Sequence, residues 1–116
     1  MLLIGYPPCT TCQKAQKWLS ERHIAFSPRD IKLDRPTEAE LRLWHQASGL
    51  PLRRFFNTGG LQYRALGLKD RLPAMPLDEQ YALLASDGML VKRPLLIGED
   101  FVLVGFKERE WSERLR

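Results

Sequence analysis

Hydrophobic and polar positions along this 116-residue chain switch between a strand-like run and a helical period, and the switches define its elements. The apolar run Leu2, Leu3, Ile4 stops at Gly5 and Pro7-Pro8, which predicts a fully buried strand ending in a turn. Cys12, Ala15, Trp18 and Leu19 then share one helical face, with Gln13, Lys14, Gln16 and Lys17 between them, so a helix is predicted to end near Arg22-His23. Residues 24–31 read as a second strand. Pro28 should cost that strand a ladder hydrogen bond and place it at a sheet edge or a bulge. Strand, helix and strand make a βαβ unit, whose crossover is right-handed.

The middle of the chain reads as helical throughout. Pro36 leads into Thr37-Glu-Ala-Glu40, a capping box, and the helix that follows should turn Leu41 and Trp44 inward and stop at Gly49 in a left-handed turn. Residues 52–56 and 61–68 are two more short helical candidates, separated by Asn57-Thr-Gly-Gly60, and residues 69–76 read as a polar, proline-rich loop. Leu77, Tyr81, Leu84 and Ala85 then form a stripe that Asp87-Gly88 ends. Leu95-Leu-Ile97, the turn Gly98-Glu-Asp100 and Phe101-Val-Leu-Val104 predict a β-hairpin, and residues 108–115 a closing helix with Trp111 and Leu115 on its buried side.

The order βαβ, helices, ββα is that of an α/β, thioredoxin-like mixed sheet with an all-helical insertion between the second and third strands. A single domain spanning residues 1–116 is expected, with its core in 1–35 and 88–116 and the insertion in 36–87. Cys9 then lies at the carboxyl end of the first strand, where open α/β sheets place their chemistry.

Composition narrows the function. The hydrophobic share of 44% and charged share of 28% suit a soluble globular protein. No apolar run approaches the roughly 20 residues of a membrane span, and Leu2–Ile4 is too short for a signal peptide, so a cytoplasmic monomer without membrane contact is expected. The net charge of +4 comes from interleaved cations and acids rather than a concentrated basic face, which argues against direct nucleic-acid binding and leaves small anions or an acidic protein as partners.

The cysteines carry the chemistry. Cys9 falls in a loop at a helix N-terminus, where unpaired N–H groups and the macrodipole favour a thiolate, and Cys12 lies one turn inside. Cys9 would attack and Cys12 would resolve by closing a disulfide. Two other readings compete. Half of a zinc site needs further ligands, and only His23 and His45 remain, at no recognised spacing. Two inert buried cysteines would suit an apolar run better than a position after Pro-Pro. In a cytoplasmic chain the spacing points to redox chemistry. Pro94 opens a predicted strand; in a thioredoxin-like fold a proline at this position packs against the C-x-x-C, so Arg93 before it would stand beside the Cys9 loop, where a guanidinium could stabilise a thiolate or grip an oxyanion.

With Pro-x-Cys-x-x-Cys-x-Lys-Ala, Gly67-Leu, Asp87-Gly-Met-Leu-Val-Lys-Arg-Pro94 and Val104-Gly-Phe106 in place, the chain resembles the ArsC/Spx family over essentially its full length. That family holds glutaredoxin-linked arsenate reductases and the Spx/MgsR redox regulators that bind bacterial RNA polymerase. The resemblance implies Cys9 as the reactive thiol, Arg93 and a cis Pro94 as its companions, and no bound cofactor, with an external thiol such as glutathione, glutaredoxin or thioredoxin as reductant. For the regulators it implies the polymerase α subunit as partner, with Gly49 in the contact region. The chain also departs from the pattern. Arsenate reductases of this family set three arginines around the oxyanion, and here Asn57 and Leu103 take two of those positions, with Arg53 and Arg54 about one helical turn early. Those reductases commonly lack a second cysteine at the Cys12 position, which the regulators have. The phosphatase-like arsenate reductases need C-x5-R, and Ala15 excludes that class.

Overall fold

The computed structural model describes residues 1–115. Strand β1 (Leu2–Gly5), helix α1 (Thr10–Glu21) and strand β2 (Ser27–Asp30) form the opening βαβ unit. The helical stretch follows as α2 (Glu38–Ser48), a 3-10 turn (Leu52–Phe55), α3 (Leu61–Ala65), α4 (Leu68–Arg71) continuing into a 3-10 turn (Leu72–Ala74), α5 (Leu77–Ser86) and a last 3-10 turn (Gly88–Leu90). Strands β3 (Leu95–Ile97) and β4 (Val102–Val104) and helix α6 (Glu108–Arg114) close the chain. The sheet order is β2-β1-β3-β4, with β1 parallel to β2 and the other pairs antiparallel. This is the thioredoxin-like mixed sheet with a helical insertion.

The period-two alternation of the strands divides the core into two layers. Leu3, Leu96 and Leu103, in register across three strands, pack on Ala15, Trp18 and Leu19 of α1 and on Trp111 of α6. Ile4, Leu95 and Val104 face the other way, onto Leu41, Trp44, Phe55, Phe56 and Leu84 of the insertion. The sheet is therefore covered on both sides, which is why β1, β3 and β4 read as continuous apolar runs.

Helix α2 starts where its capping box predicts: Thr37 Oγ1 accepts from the Glu40 N–H at 3.1 Å, and Glu40 accepts the Thr37 N–H at 3.0 Å. It stops at Gly49, whose φ of 68° lies in the left-handed region that a side chain disfavours.

Five expectations need correction. The second strand is shorter than 24–31, because His23 turns left-handed (φ 57°) and Ile24 folds its N–H back to the Leu19 carbonyl at 3.0 Å. Ile24 and Phe26 leave the helix by packing beside Trp18 and Trp111 instead of pairing. Pro28 does sit on an edge strand, but it costs no ladder bond. Ser27 and Ile31 donate to Met1 and Gly5, so by alternation the proline nitrogen faces away from β1. The candidate helix 61–68 breaks at Gly67 (φ 63°), and residues 69–76, expected as a loop, are largely helical. Leu68 and Leu72, four apart and both buried, supply the tertiary anchor that the polar composition concealed. Finally, Leu77 is exposed. At the first turn of α5 it lies outside the stripe, and Gln80 is buried in its place, donating to the Met75 carbonyl at 2.9 Å.

Candidate active site

Gly5 ends β1, and the Tyr6-Pro7-Pro8 turn is closed by the Cys9 N–H donating to the Tyr6 carbonyl at 2.9 Å. Gln13 reaches back from the helix and ties down the Pro7 carbonyl at 2.7 Å. Cys9 is the N-cap of α1: its Sγ accepts the Cys12 N–H at 3.3 Å. The first turn holds no acidic residue, so nothing local competes with a thiolate for the N–H groups and the dipole.

The two thiols, both free, are pushed apart in acidity. Partial burial pushes the Cys9 thiol up, but hydrogen bonds from the Cys12 side chain and backbone, the Arg93 charge and the Thr11 backbone outweigh it and leave Cys9 below its ordinary value. Cys12 is pushed up to about 12, first by burial and then by donating its proton toward the Cys9 sulfur. The proton resides on Cys12 and the nucleophilic character on Cys9.

Gly5 makes the placement of Cys12 fit. A Cβ on Gly5 would lie 3.2 Å from the Cys12 Cβ and 3.3 Å from its Sγ, tighter than ordinary contact, so the helix rests on the strand only where a side chain is missing.

The Arg93-Pro94 bond is cis. Arg93 stands with its guanidinium carbon 5.5 Å from the Tyr6 ring centroid, and its buried Nε has no hydrogen-bond partner among the described residues. Cys9 and Arg93 line a cleft of about 390 Å³ together with Arg54, Lys92, Lys107 and Asn57. Four cations and no carboxylate line it, and such a cleft concentrates anions next to the sulfur. Cys12 opens instead onto a second cleft, of about 470 Å³, with Gly5, Gln13, Gln16 and Asp30, and the two clefts share no lining residue.

Cys9, Cys12 and Arg93 thus lie close together, and cis Pro94 follows Arg93 at the head of β3, the strand beside β1. Gly49 lies apart: it ends α2 outside both clefts, with no atom within 4 Å of where its Cβ would be. Asn57 lines the cationic cleft beside Cys9, whereas Leu103 is buried in the sheet. Arg54, placed a turn too early by sequence, reaches the cleft because residues 52–55 form a 3-10 turn, while Arg53 points into a separate depression beside Leu52 and Tyr63. Sequence reasoning missed Lys92 and Lys107 altogether. Each adjoins a motif already singled out, Lys92 before Arg93-Pro94 and Lys107 after Val104-Gly-Phe106, and that adjacency was the available signal. His23 turns left-handed just past the Arg22 C-cap of α1 and His45 pairs with Tyr81 between α2 and α5, so neither histidine joins the cysteines; among the described residues no three metal-ligating side chains gather.

The ArsC family model matches residues 4–114. The chain belongs to the ArsC family. Among relatives of this ArsC-family chain, the uncharacterized protein YusI of Bacillus subtilis is 49% identical over 93% of this chain and 92% of its own length. The global transcriptional regulator Spx 1 of Bacillus cereus is 29% identical over 93% of this chain and 81% of its own length. A crystal structure of an ArsC family related protein from Bacteroides fragilis superposes with a TM-score of 0.96 at 54% identity, covering 99% of this chain and 96% of that one. The ArsC family likeness therefore takes in the whole framework that carries the cysteines, the cis proline and the cationic cleft.

Proposed function

We propose that this ArsC-family protein is a thiol–disulfide oxidoreductase whose substrates carry negative charge. One observation supports the reading above the others: Cys9, its thiol made more acidic at a helix terminus, opens onto a cleft lined by Arg54, Lys92, Arg93 and Lys107 with no carboxylate. The Cys9 thiolate attacks one sulfur of a substrate disulfide and expels the other as a thiolate, which takes up a proton. Cys12 loses its proton, attacks the Cys9 sulfur and expels the second substrate thiolate. The chain is left with a Cys9–Cys12 disulfide, and two electrons have passed to the substrate. An external thiol such as glutathione, glutaredoxin or thioredoxin restores the dithiol. The backbone at cis Pro94, beside the cysteine loop, positions the substrate, and no cofactor is required.

A small oxyanion such as arsenate fits the same charge pattern, gripped by lysines and two arginines in place of three arginines. Turnover of a small disulfide with glutathione as donor, abolished in Cys9→Ser, tests the general reading; its absence would overturn it. Adding arsenate and glutaredoxin tests the narrower one.

A second reading is motivated by the Cys-x-x-Cys shared with Spx-type regulators: the disulfide reshapes the Cys9 loop and controls binding to the polymerase α subunit, with Gly49 in the contact surface. Capture of the α C-terminal domain in one redox state only would establish it. Failure in both states would remove it.

A further inference from the structure

Resolution at Cys12 poses a problem that the cationic cleft does not solve. Cys12 is 6% exposed, and the groups around Cys9 are cations that hold protons and do not accept them. A thiol that must become a nucleophile needs a base within reach.

The sheet register supplies one. Gly5 of β1 and Asp30 of β2 are partners across the parallel pair, and such partners project to the same face, with strands about 4.8 Å apart. The Gly5 Cβ direction runs into the Cys12 sulfur, at 3.3 Å, so the face shared by Gly5 and Asp30 is the one on which Cys12 lies. Cys12 and Asp30 accordingly line the same cleft of about 470 Å³.

Asp30 is held in position and is not otherwise engaged. Its Oδ1 accepts the backbone N–H groups of Lys32 and Leu33 at 2.8 and 3.1 Å, while its Oδ2 has no hydrogen bond or ion pair among the described residues. The other groups that border the cleft do not compete for the proton. Gln13 and Gln16 of α1 are neutral amides, and Tyr6 is a phenol. Arg29, by strand alternation, turns its guanidinium to the opposite face, where Glu40 and Asp34 neutralise it. Among the lining residues Asp30 is the one carboxylate.

We propose that Asp30 is the proton acceptor that activates Cys12 for the second step, working from the cleft opposite the substrate. The inference rests on the Cys9–Cys12 reaction described above. Once a mixed disulfide stands on Cys9, the Cys12 proton passes to the Asp30 carboxylate, directly or through one water. The Cys12 sulfur then bonds to the Cys9 sulfur, the bond from Cys9 to the substrate sulfur breaks, the departing thiolate takes up any proton it needs from solvent on the Cys9 side, and Asp30 gives the Cys12 proton to solvent on its own side. The division of labour is spatial: the substrate enters beside the cations, and the proton leaves on the other side of the helix.

The test uses the full chain and 5,5′-dithiobis(2-nitrobenzoate), a dianionic disulfide that releases one coloured thiolate when Cys9 attacks and a second when Cys12 closes the ring. In Asp30→Asn the first release should keep its rate and the second should slow by about 10²-fold, the lower end of what a positioned base contributes. Asparagine can retain the turn made through Oδ1, and an unchanged thermal melt confirms the fold. Asp30→Glu and added formate should each restore part of the second release in a way that a purely structural defect would not allow. Two releases at wild-type rates in Asp30→Asn overturn this proposal and leave the thiol chemistry standing. Slowing that neither glutamate nor formate relieves also overturns it. No release from the wild-type protein overturns the oxidoreductase reading itself.

Discussion

Arg29 and Glu40 meet in a two-pronged ion pair, Nη1 to Oε2 at 2.6 Å and Nη2 to Oε1 at 2.9 Å, that joins the edge strand to the first helix of the insertion. The same carboxylate closes the α2 capping box, so one side chain fixes both the entry to the insertion and its attachment to the sheet. The Arg29 side chain is 13% exposed and that of Glu40 33%, shielded enough for the pair to matter and wet enough for solvent to screen part of it.

Acid should loosen this clasp first. Hydrogen bonding to Arg29, opposed by burial and aided by the Thr37 backbone, lowers Glu40 from 4.5 to about 2. A carboxylate with a depressed folded value stabilises the protein above its unfolded value, and that stability is lost as pH falls toward the folded one. Urea unfolding should therefore show stability falling between about pH 4.5 and 2, and Glu40→Gln should remove about 1 kcal/mol at neutral pH while flattening that segment.

Alkylation should separate the two sulfurs. Iodoacetamide at neutral pH should label Cys9 and spare Cys12, whose thiol is pushed up to about 12. Arg93→Ala removes a charge that lowers Cys9, so the pH midpoint of labelling should rise. A midpoint unmoved by that change would mean that the hydrogen bonds from Cys12 and the helix terminus set Cys9 acidity without the Arg93 charge.

Charge in the Cys9 cleft should be felt by the substrate. Lys92→Gln and Lys107→Gln together should slow reaction with an anionic disulfide roughly tenfold at low salt and leave a neutral disulfide nearly unaffected. Raising ionic strength should bring wild type and variant together. Equal losses on both substrates would show that the lysines shape the loop and do not attract the ligand.

Packing beneath the dithiol should be unforgiving. Gly5→Ala places a methyl 3.2 Å from the Cys12 Cβ, between a strand and a helix that cannot both yield, and should cost about 1–3 kcal/mol in urea unfolding. Trp111→Ala, which empties a fully buried site against Trp18 and Phe106, should cost about 3–5 kcal/mol.

How far the sequence reveals this molecule depends on whether a signal is local. The α2 capping box, the Gly49 stop and the Leu95–Val104 hairpin are written in a few adjacent residues, and each appears where expected. The helicity of residues 69–74 was hidden because only burial of Leu68 and Leu72 against distant side chains decides it over a polar composition. The convergence of Cys9, Cys12, Arg93 and Pro94 followed from topology, since the ends of β1 and β3 are neighbours in the sheet. Arg54 and Lys107 were out of reach for the opposite reason. A 3-10 turn advances the chain differently from an α-helix, and the direction in which Lys107 leaves β4 is set by tertiary packing.

Pro28 has one more effect, felt outside the molecule. Beyond β2 the sheet has an open flank, and such a flank invites a second polypeptide to zip alongside. Midway along it, where an amide hydrogen would greet a newcomer, the proline ring offers none. A residue that costs the native ladder nothing thereby withholds a handhold from stray chains and keeps the sheet from growing sideways.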